Sequence, residues 1–364
     1  MITVLIDTFY LKVAPAGIKT YINQLVYCSK ISKTKKIKYI FSTDIISHNS
    51  YVFFNSNSRL IRWLFQLYYL IWKQIILPLK CLKHSPDILL CPDYVLPVWN
   101  LDLKKIVVLH DSLFWKNKYD YSKLWRWYYL KCINYGINES TTIVTTSEHS
   151  KKSLKKVLGK KNNIEVIYQS CHESNIKKKV EKNILHVGSF EKRKNIMILV
   201  KAFLKIKLNP LNKDFKLILA GTTNFFGKNS EYLSVKNFIK ENNIEKDVII
   251  TGHVNDQDKN KLYSKAFLYV FPSNDEGFGI PIIEAFSNKL PVICSDIEVF
   301  QEIGNDAVLN FEKNNHKDLA SKIELLISSD KLRLELKNKG LKRLDAFTNK
   351  NFINSFEKLF KSIV

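Results

Sequence analysis

Short apolar runs alternate with longer stretches of helical period along the whole chain, the pattern of parallel strands joined by crossover helices. The first series of strand candidates runs Ile2–Ile6, Lys38–Phe41, Ile88–Cys91, Lys105–Leu109, Thr142–Thr145 and Ile164–Tyr168; a second runs Ile184–Val187, Lys216–Ala220, Val248–Thr251, Ala266–Phe271 and Pro291–Cys294. Two such series predict an α/β protein with two doubly wound units, one over residues 1–175 and one over 183–345. The polar stretch Glu173–Asn183, with Lys177, Lys178 and Lys179, marks the junction. A length of 364 residues supports two domains with a core each and excludes a small binding module.

Composition adds constraints. Leu60–Leu79 comes nearest to a membrane span, but Arg62, Gln66 and Lys73 interrupt it and Pro78 is expected to end it, so it reads as a largely buried aromatic-rich helix with a further role at an interface open. The start, Met1–Asp7, reads as a strand rather than a signal peptide. Cys28, Cys81, Cys91, Cys132, Cys171 and Cys294 show no paired short spacing, which argues against metal or redox work and for buried thiols in a reducing compartment. The 57 Lys and Arg against 34 Asp and Glu give a net charge of +23. Such a field attracts polyanions, an anionic membrane surface or anionic substrates, unless it reflects a lysine- and asparagine-rich compositional bias. The segment Phe114–Tyr129 mixes bases with large aromatics and is a candidate lipid contact.

The candidate chemistry centres on Asn274-Asp275-Glu276-Gly277-Phe278-Gly279-Ile280-Pro281-Ile282-Ile283-Glu284-Ala285. A strand should lead into a glycine turn, Pro281 suits the first turn of a helix, and Glu284 should lie about one turn into it. Backbone N–H groups at that helix start would favour a diphosphate. Taken alone, two glutamates so spaced read as solvated side chains. Upstream, Ile184–Asn195 is a strand, a glycine turn and the basic pair Arg193 and Lys194, suited to phosphate as a planar fork and a point charge. Val107–Asp111 ends a strand with a His-Asp pair, Gly17 follows the first strand, and Ser147 is placed to cap a helix. An isolated histidine like His110 is more often a core residue bonded to backbone, and His253 reads as structural.

Together these motifs resemble the retaining glycosyltransferases of family 4 and their Glu-x7-Glu signature. The resemblance implies the GT-B fold: two Rossmann-like domains facing across a cleft, with a C-terminal helix, residues 346–364, crossing back to the first. It implies that Glu276 lies beside the transferred sugar, that Phe278, Gly279 and Ile280 form the donor-sugar turn, and that Glu284 holds the ribose. It assigns Arg193, Lys194 and the Gly17 loop to the donor phosphates and sets His110 near the reacting sugar. The implied activity is transfer of a sugar from a nucleotide-sugar donor to a glycan or lipid-linked acceptor in surface polysaccharide or lipopolysaccharide assembly. The Glu191–Asn195 variant resembles that of many mannosyltransferases, which suggests GDP-mannose. No cofactor or metal is expected, since the cations and helix start can neutralise the diphosphate and no Asp-x-Asp motif is present; nor is nucleic acid an expected partner. The expected location is cytoplasmic, peripheral on the inner face of the membrane. The alternatives are an inactive GT-B-fold polyanion- or membrane-binding protein and a GT-B sugar-nucleotide epimerase or phosphorylase. Two departures stand out: Lys289 replaces the usual glycine after the motif helix, and Ser295–Glu298 lacks a glycine pair.

Overall fold

A computed structural model of the chain describes residues 1–12, 16–43, 59–116, 123–138, 141–159, 163–171, 179–223 and 230–364. The chain divides into two units, Met1–Ser170 with Asn349–Val364, and Cys171–Thr348. The first unit therefore ends slightly before residue 175, and the returning segment starts at Asn349 rather than 346. Most of the expected junction, residues 172–178, lies outside the described residues.

In the first unit, strands β1 (Ile2–Ile6), β2 (Ile37–Phe41), β3 (Ile88–Cys91), β4 (Lys104–Val108), β5 (Thr141–Thr145) and β6 (Ile164–Val166) form a sheet ordered β2-β1-β3-β4-β5-β6, every pair parallel. The central strands read as continuous apolar runs because helices cover both faces; β3 is buried along its whole length. Helix Asn349–Ile363 supplies part of that cover by burying Phe352, Ile353, Phe356, Leu359 and Phe360, an i, i+1, i+4, i+7, i+8 stripe. Its Glu357 accepts hydrogen bonds from the hydroxyls of Ser32, Thr34 and Tyr39, and the Phe352 ring meets Tyr21 edge-on at 5.6 Å. Ser147 caps helix Glu148–Leu158 by accepting from the Ser150 N–H at 3.0 Å, as expected.

Pro78 does not end its helix. Arg59–Ile71 runs into a π-helical turn, Trp72–Ile76, and on through Leu77–His84. Proline has no N–H and crowds the carbonyl four residues back; the wider turn, with the Leu77 N–H reaching the Trp72 carbonyl, absorbs both effects. The helix is not largely buried either. Tyr69, Trp72, Leu77 and Cys81 face the core, whereas Leu60, Leu64, Leu79 and Leu82 are at least half exposed.

The buried face also carries Lys73 to the carboxyl ends of β1 and β3, where the strand order reverses. Its ammonium lies 2.6 Å from Asp7 and 2.5 Å from Asp93, all three fully buried. Burial would push the Asp7 carboxyl up, but Lys73 outweighs it and holds Asp7 ionised; Asp93 is pushed up to about 6 by burial against the pull of Lys73. Asp7, Cys91 and Asp93 are also the one group among the described residues close enough to share a metal ion, and Lys73 supplies the positive charge there. The Lys73→Met variant should lose roughly 3–5 kcal/mol, read from urea denaturation, because the two carboxylates are left without their cation; a change below about 1 kcal/mol would show that the cluster tolerates neutralisation.

In the second unit, β7 (Asn183–Val187), β8 (Lys216–Ala220), β9 (Val248–Gly252), β10 (Ala266–Phe271), β11 (Val292–Ser295) and β12 (Val308–Phe311) form a parallel sheet ordered β12-β11-β10-β7-β8-β9. The edge strand β12 was not anticipated: its apolar run is short and gives way at once to Glu312-Lys313-Asn314-Asn315. Helix Ile196–Lys207 buries Ile196, Leu199, Val200, Phe203 and Ile206 against the sheet. All six cysteines are free thiols, five buried and Cys171 half-buried.

Candidate functional site

The order of the second sheet reverses between β7 and β10, and the loops leaving these adjacent strands carry the two motifs. After β10, the chain turns through Gly279, whose φ of 116° lies in the left-handed region open to glycine, and enters helix Ile280–Ser287 with Pro281 in its first turn. After β7, Gly188 passes so close to Gly221 that a Cβ on Gly221 would lie 1.9 Å from the Gly188 carbonyl oxygen. Past that glycine pair, Lys192–Lys194 forms a single 3-10 turn that points Arg193 and Lys194 toward the β10 loop.

The two cations converge on one carboxylate. Lys194 Nζ lies 2.5 Å from Glu276 Oε1, and Arg193 Nη1 lies 3.0 Å from Oε2. The Arg193 guanidinium is fixed further by Glu191, at 2.8 Å, and by donation to the Asp275 carbonyl at 3.1 Å. The Asn274 N–H donates to the Arg193 carbonyl at 2.7 Å, tying the loops through backbone as well. Lys194 stacks its ammonium over the Phe271 ring at 5.3 Å. Burial would raise the Glu276 carboxyl, but Lys194 and Arg193 outweigh it and hold it at about 2. Burial pulls the Lys194 ammonium below its ordinary value, and Glu276 opposes that pull.

Glu284 lies one turn into its helix, as expected, and accepts from Lys259 at 2.7 Å and from the Tyr263 hydroxyl at 3.0 Å. Phe278 is buried and packs edge-on against Phe347 at 5.9 Å, so only its backbone is available to a ligand at the turn. Ile280 is the first residue of the motif helix. At the helix end Lys289 adopts a φ of 52°, the left-handed geometry expected to suit glycine, while the Asn288 amide donates to the Glu284 carbonyl at 2.9 Å.

Sequence reasoning missed several neighbours. Lys259 and Tyr263 come from a helix, Asp256–Lys265, that carries no motif. Glu231 is pushed up to about 7 by burial and accepts from the N–H groups of Ile196 and Met197, so this carboxylate fills the helix start that follows the basic pair. His186 is buried within β7, bonded through Nδ1 to the Val270 carbonyl at 3.0 Å and held near 4 by burial. Only its place at a strand end, beside Gly188, hinted at it.

Two assigned residues belong to the first unit. His110, just past β4, is buried with Nε2 2.9 Å from the Pro92 carbonyl and its ring edge-on to Tyr21 at 4.7 Å; burial pushes it down to about 4, so it is neutral. That is the environment of a core histidine bonded to backbone. Gly17 is not in a loop: it sits in the first turn of helix Ala16–Ile31, exposed, with open space where a Cβ would lie. Neither torsion nor packing requires glycine there, and the expected glycine loop is corrected to a helix start.

The Glu276 pair sets a pH dependence. A carboxyl held at about 2, below its ordinary 4.5, contributes stability that is present above about 4.5 and lost as pH falls toward 2. Between pH 5 and pH 2.5 the wild type should therefore lose roughly 2–3 kcal/mol more than Glu276→Gln. Denaturant titration across that range checks this, and parallel curves would exclude the buried pair.

Residues 168–343 match the family described as Glycosyl transferases group 1. An O-antigen chain mannosyltransferase of Salmonella typhimurium is 30% identical over 54% of this chain and 54% of its own length. A Campylobacter jejuni N-acetylgalactosaminyltransferase, named for a diacetylbacillosaminyl-diphospho-undecaprenol substrate, is 30% identical over 50% of this chain and 49% of its own. The chain thus spans about half the length of these curated relatives. Sucrose-phosphate synthase from Thermosynechococcus elongatus shares the fold over 100% of this chain and 99% of its own, with a TM-score of 0.77 at 18% identity. The fold is GT-B, and residues 168–343 are similar to the glycosyl transferases of group 1.

Proposed function

We propose that the protein is a retaining glycosyltransferase that moves a sugar from a nucleoside-diphosphate donor to a glycan or lipid-linked acceptor in surface polysaccharide assembly. The observation that carries this reading is the convergence of Arg193 and Lys194 on Glu276 at the switch point of the second sheet, beside the start of helix Ile280–Ser287. In this reading Arg193, Lys194 and the helix start hold the diphosphate, Glu284 accepts from the ribose hydroxyls, and Glu276 accepts from the sugar hydroxyls. The bond from the anomeric carbon to the diphosphate oxygen breaks, the acceptor hydroxyl bonds to the same face of that carbon, and its proton leaves with the diphosphate. Glu276, ionised at all working pH values, stabilises the positive charge that builds on the sugar, while the cations offset the negative charge on the leaving group.

No metal step is part of this proposal, because two fixed cations already serve the diphosphate. Mannose from GDP-mannose is the proposed donor sugar, supported by the Glu191–Asn195 sequence and by the activity for which the Salmonella relative is named. The first-unit residues His110 and Gly17 take no assigned step: the one is bonded to backbone, the other is a helix residue. The net charge of +23 suits a peripheral place at an anionic membrane surface, on the inner face. Among the described residues, no helix is long and apolar enough to cross a membrane.

Thermal shift against GDP, UDP, ADP and their sugars tests the donor. One nucleotide should raise the melting temperature by several degrees, about 2–4 °C per kcal/mol of binding in a chain of this size. A salt-sensitive response to any polyanion with no nucleoside-diphosphate effect would favour an inactive binding protein. Turnover should survive a chelator, and full loss on chelation would sink the metal-free mechanism.

A further inference from the structure

We propose that the helix running from Arg59 to His84 in the first unit is an interfacial anchor that lies in the headgroup layer of an anionic lipid bilayer. The inference deepens the peripheral location proposed above and is independent of the transfer chemistry. A helix with one buried stripe ordinarily turns polar residues outward. This one does not. Opposite the stripe that holds Tyr69, Trp72 and Cys81, the side chains of Leu60, Leu64 and Leu67 stand 65%, 50% and 36% exposed at i, i+4, i+7 spacing, and from Ile75 within the π turn onward Ile75, Leu79 and Leu82 repeat the pattern at 48%, 53% and 61%. A contiguous apolar row of that length on a water-facing surface marks a contact.

The charges identify the occupant. Lys80 and Lys83 flank the row, Arg59 and Arg62 add to the positive charge of the same stretch of sequence, and no Asp or Glu occurs between Arg59 and His84. A second copy of the chain seated face to face would bring these like charges together. An anionic surface instead attracts them. Trp63 and Tyr68, both about half exposed, are side chains suited to that layer. The adjoining helix Lys123–Gly136 packs against the anchor through Tyr69 and Tyr129, stacked at 6.0 Å, and also lacks acidic residues while exposing Leu124 and Trp127. That helix includes part of the segment Phe114–Tyr129 first singled out as a lipid contact; residues 117–122 of it lie outside the described residues, and Phe114 itself turns inward onto Tyr94 and Tyr129. The outward lipid-like surface therefore rests mainly on Arg59–His84.

Co-sedimentation with vesicles of phosphatidylcholine, with and without phosphatidylglycerol, tests the anchor. The whole chain should pellet with the phosphatidylglycerol vesicles, less so at high salt, and little with phosphatidylcholine alone. Leu64→Glu/Leu67→Glu should bind at least about tenfold more weakly. Lys80→Glu/Lys83→Glu should weaken binding to the anionic vesicles in the same direction, and decides alone if the first variant does not fold. Wild type left in the supernatant, or either folded variant pelleting like wild type, would overturn the proposal; so would a wild-type dimer in light scattering that Leu64→Glu/Leu67→Glu splits. In both variants the nucleotide-dependent thermal shift should stay that of wild type, so a failed anchor and a failed donor site give different results.

Discussion

Glu276 shares its carboxylate between two cations from a loop 82 residues earlier in the chain, and the candidate site depends on that contact. It is a three-membered charge cluster in a mostly buried place, where an unpaired member would be costly and a paired one is held in a single geometry. The cluster joins the loops after β7 and β10, fixes the direction of Arg193 and Lys194, and keeps Glu276 ionised. Packing alone could close the sheet; it would not aim two positive groups at one point beside a helix start.

The two units solve the same topological problem differently. A doubly wound parallel sheet opens a crevice at the carboxyl ends of the strands where its order reverses. In the first unit that place, beside β1 and β3, is filled by Lys73 between Asp7 and Asp93. In the second, beside β7 and β10, the cations sit on short turns and remain partly accessible, with about a quarter of the Arg193 side chain exposed. An internal lysine makes one crevice part of the core, and the other keeps its charges near the surface.

Most of the fold was legible because parallel strands covered on both faces are short unbroken apolar runs; Ile2–Ile6, Ile88–Cys91, Lys216–Ala220 and Ala266–Phe271 have the same limits in sequence and structure. The edge strand Val308–Phe311 escaped because a half-covered edge needs no long run. The Arg59–His84 helix was misread at Pro78, since a π turn that relieves proline has no sequence mark, and its exposed leucines cannot be told from core leucines by period. At the site, Glu276, Glu284, Arg193 and Lys194 were legible because turn glycines and Pro281 locate them on loops and a helix start. Lys259, Tyr263 and Glu231 were not, because tertiary packing brings them in from another helix and from the residue that precedes a third. Gly17 misled for the converse reason: glycine suggests a turn, and here it merely begins a helix.

The most direct test of the central claim is sugar transfer from the stabilising nucleotide-sugar by Glu276→Gln, compared with wild type after both are shown to be folded at neutral pH. The Gln side chain keeps the shape and removes the charge that would stabilise the sugar cation, so turnover should fall by about a hundredfold or more while the nucleoside diphosphate still binds. Undiminished turnover would contradict the role of Glu276 and with it the reading of the cluster as the centre of the reaction.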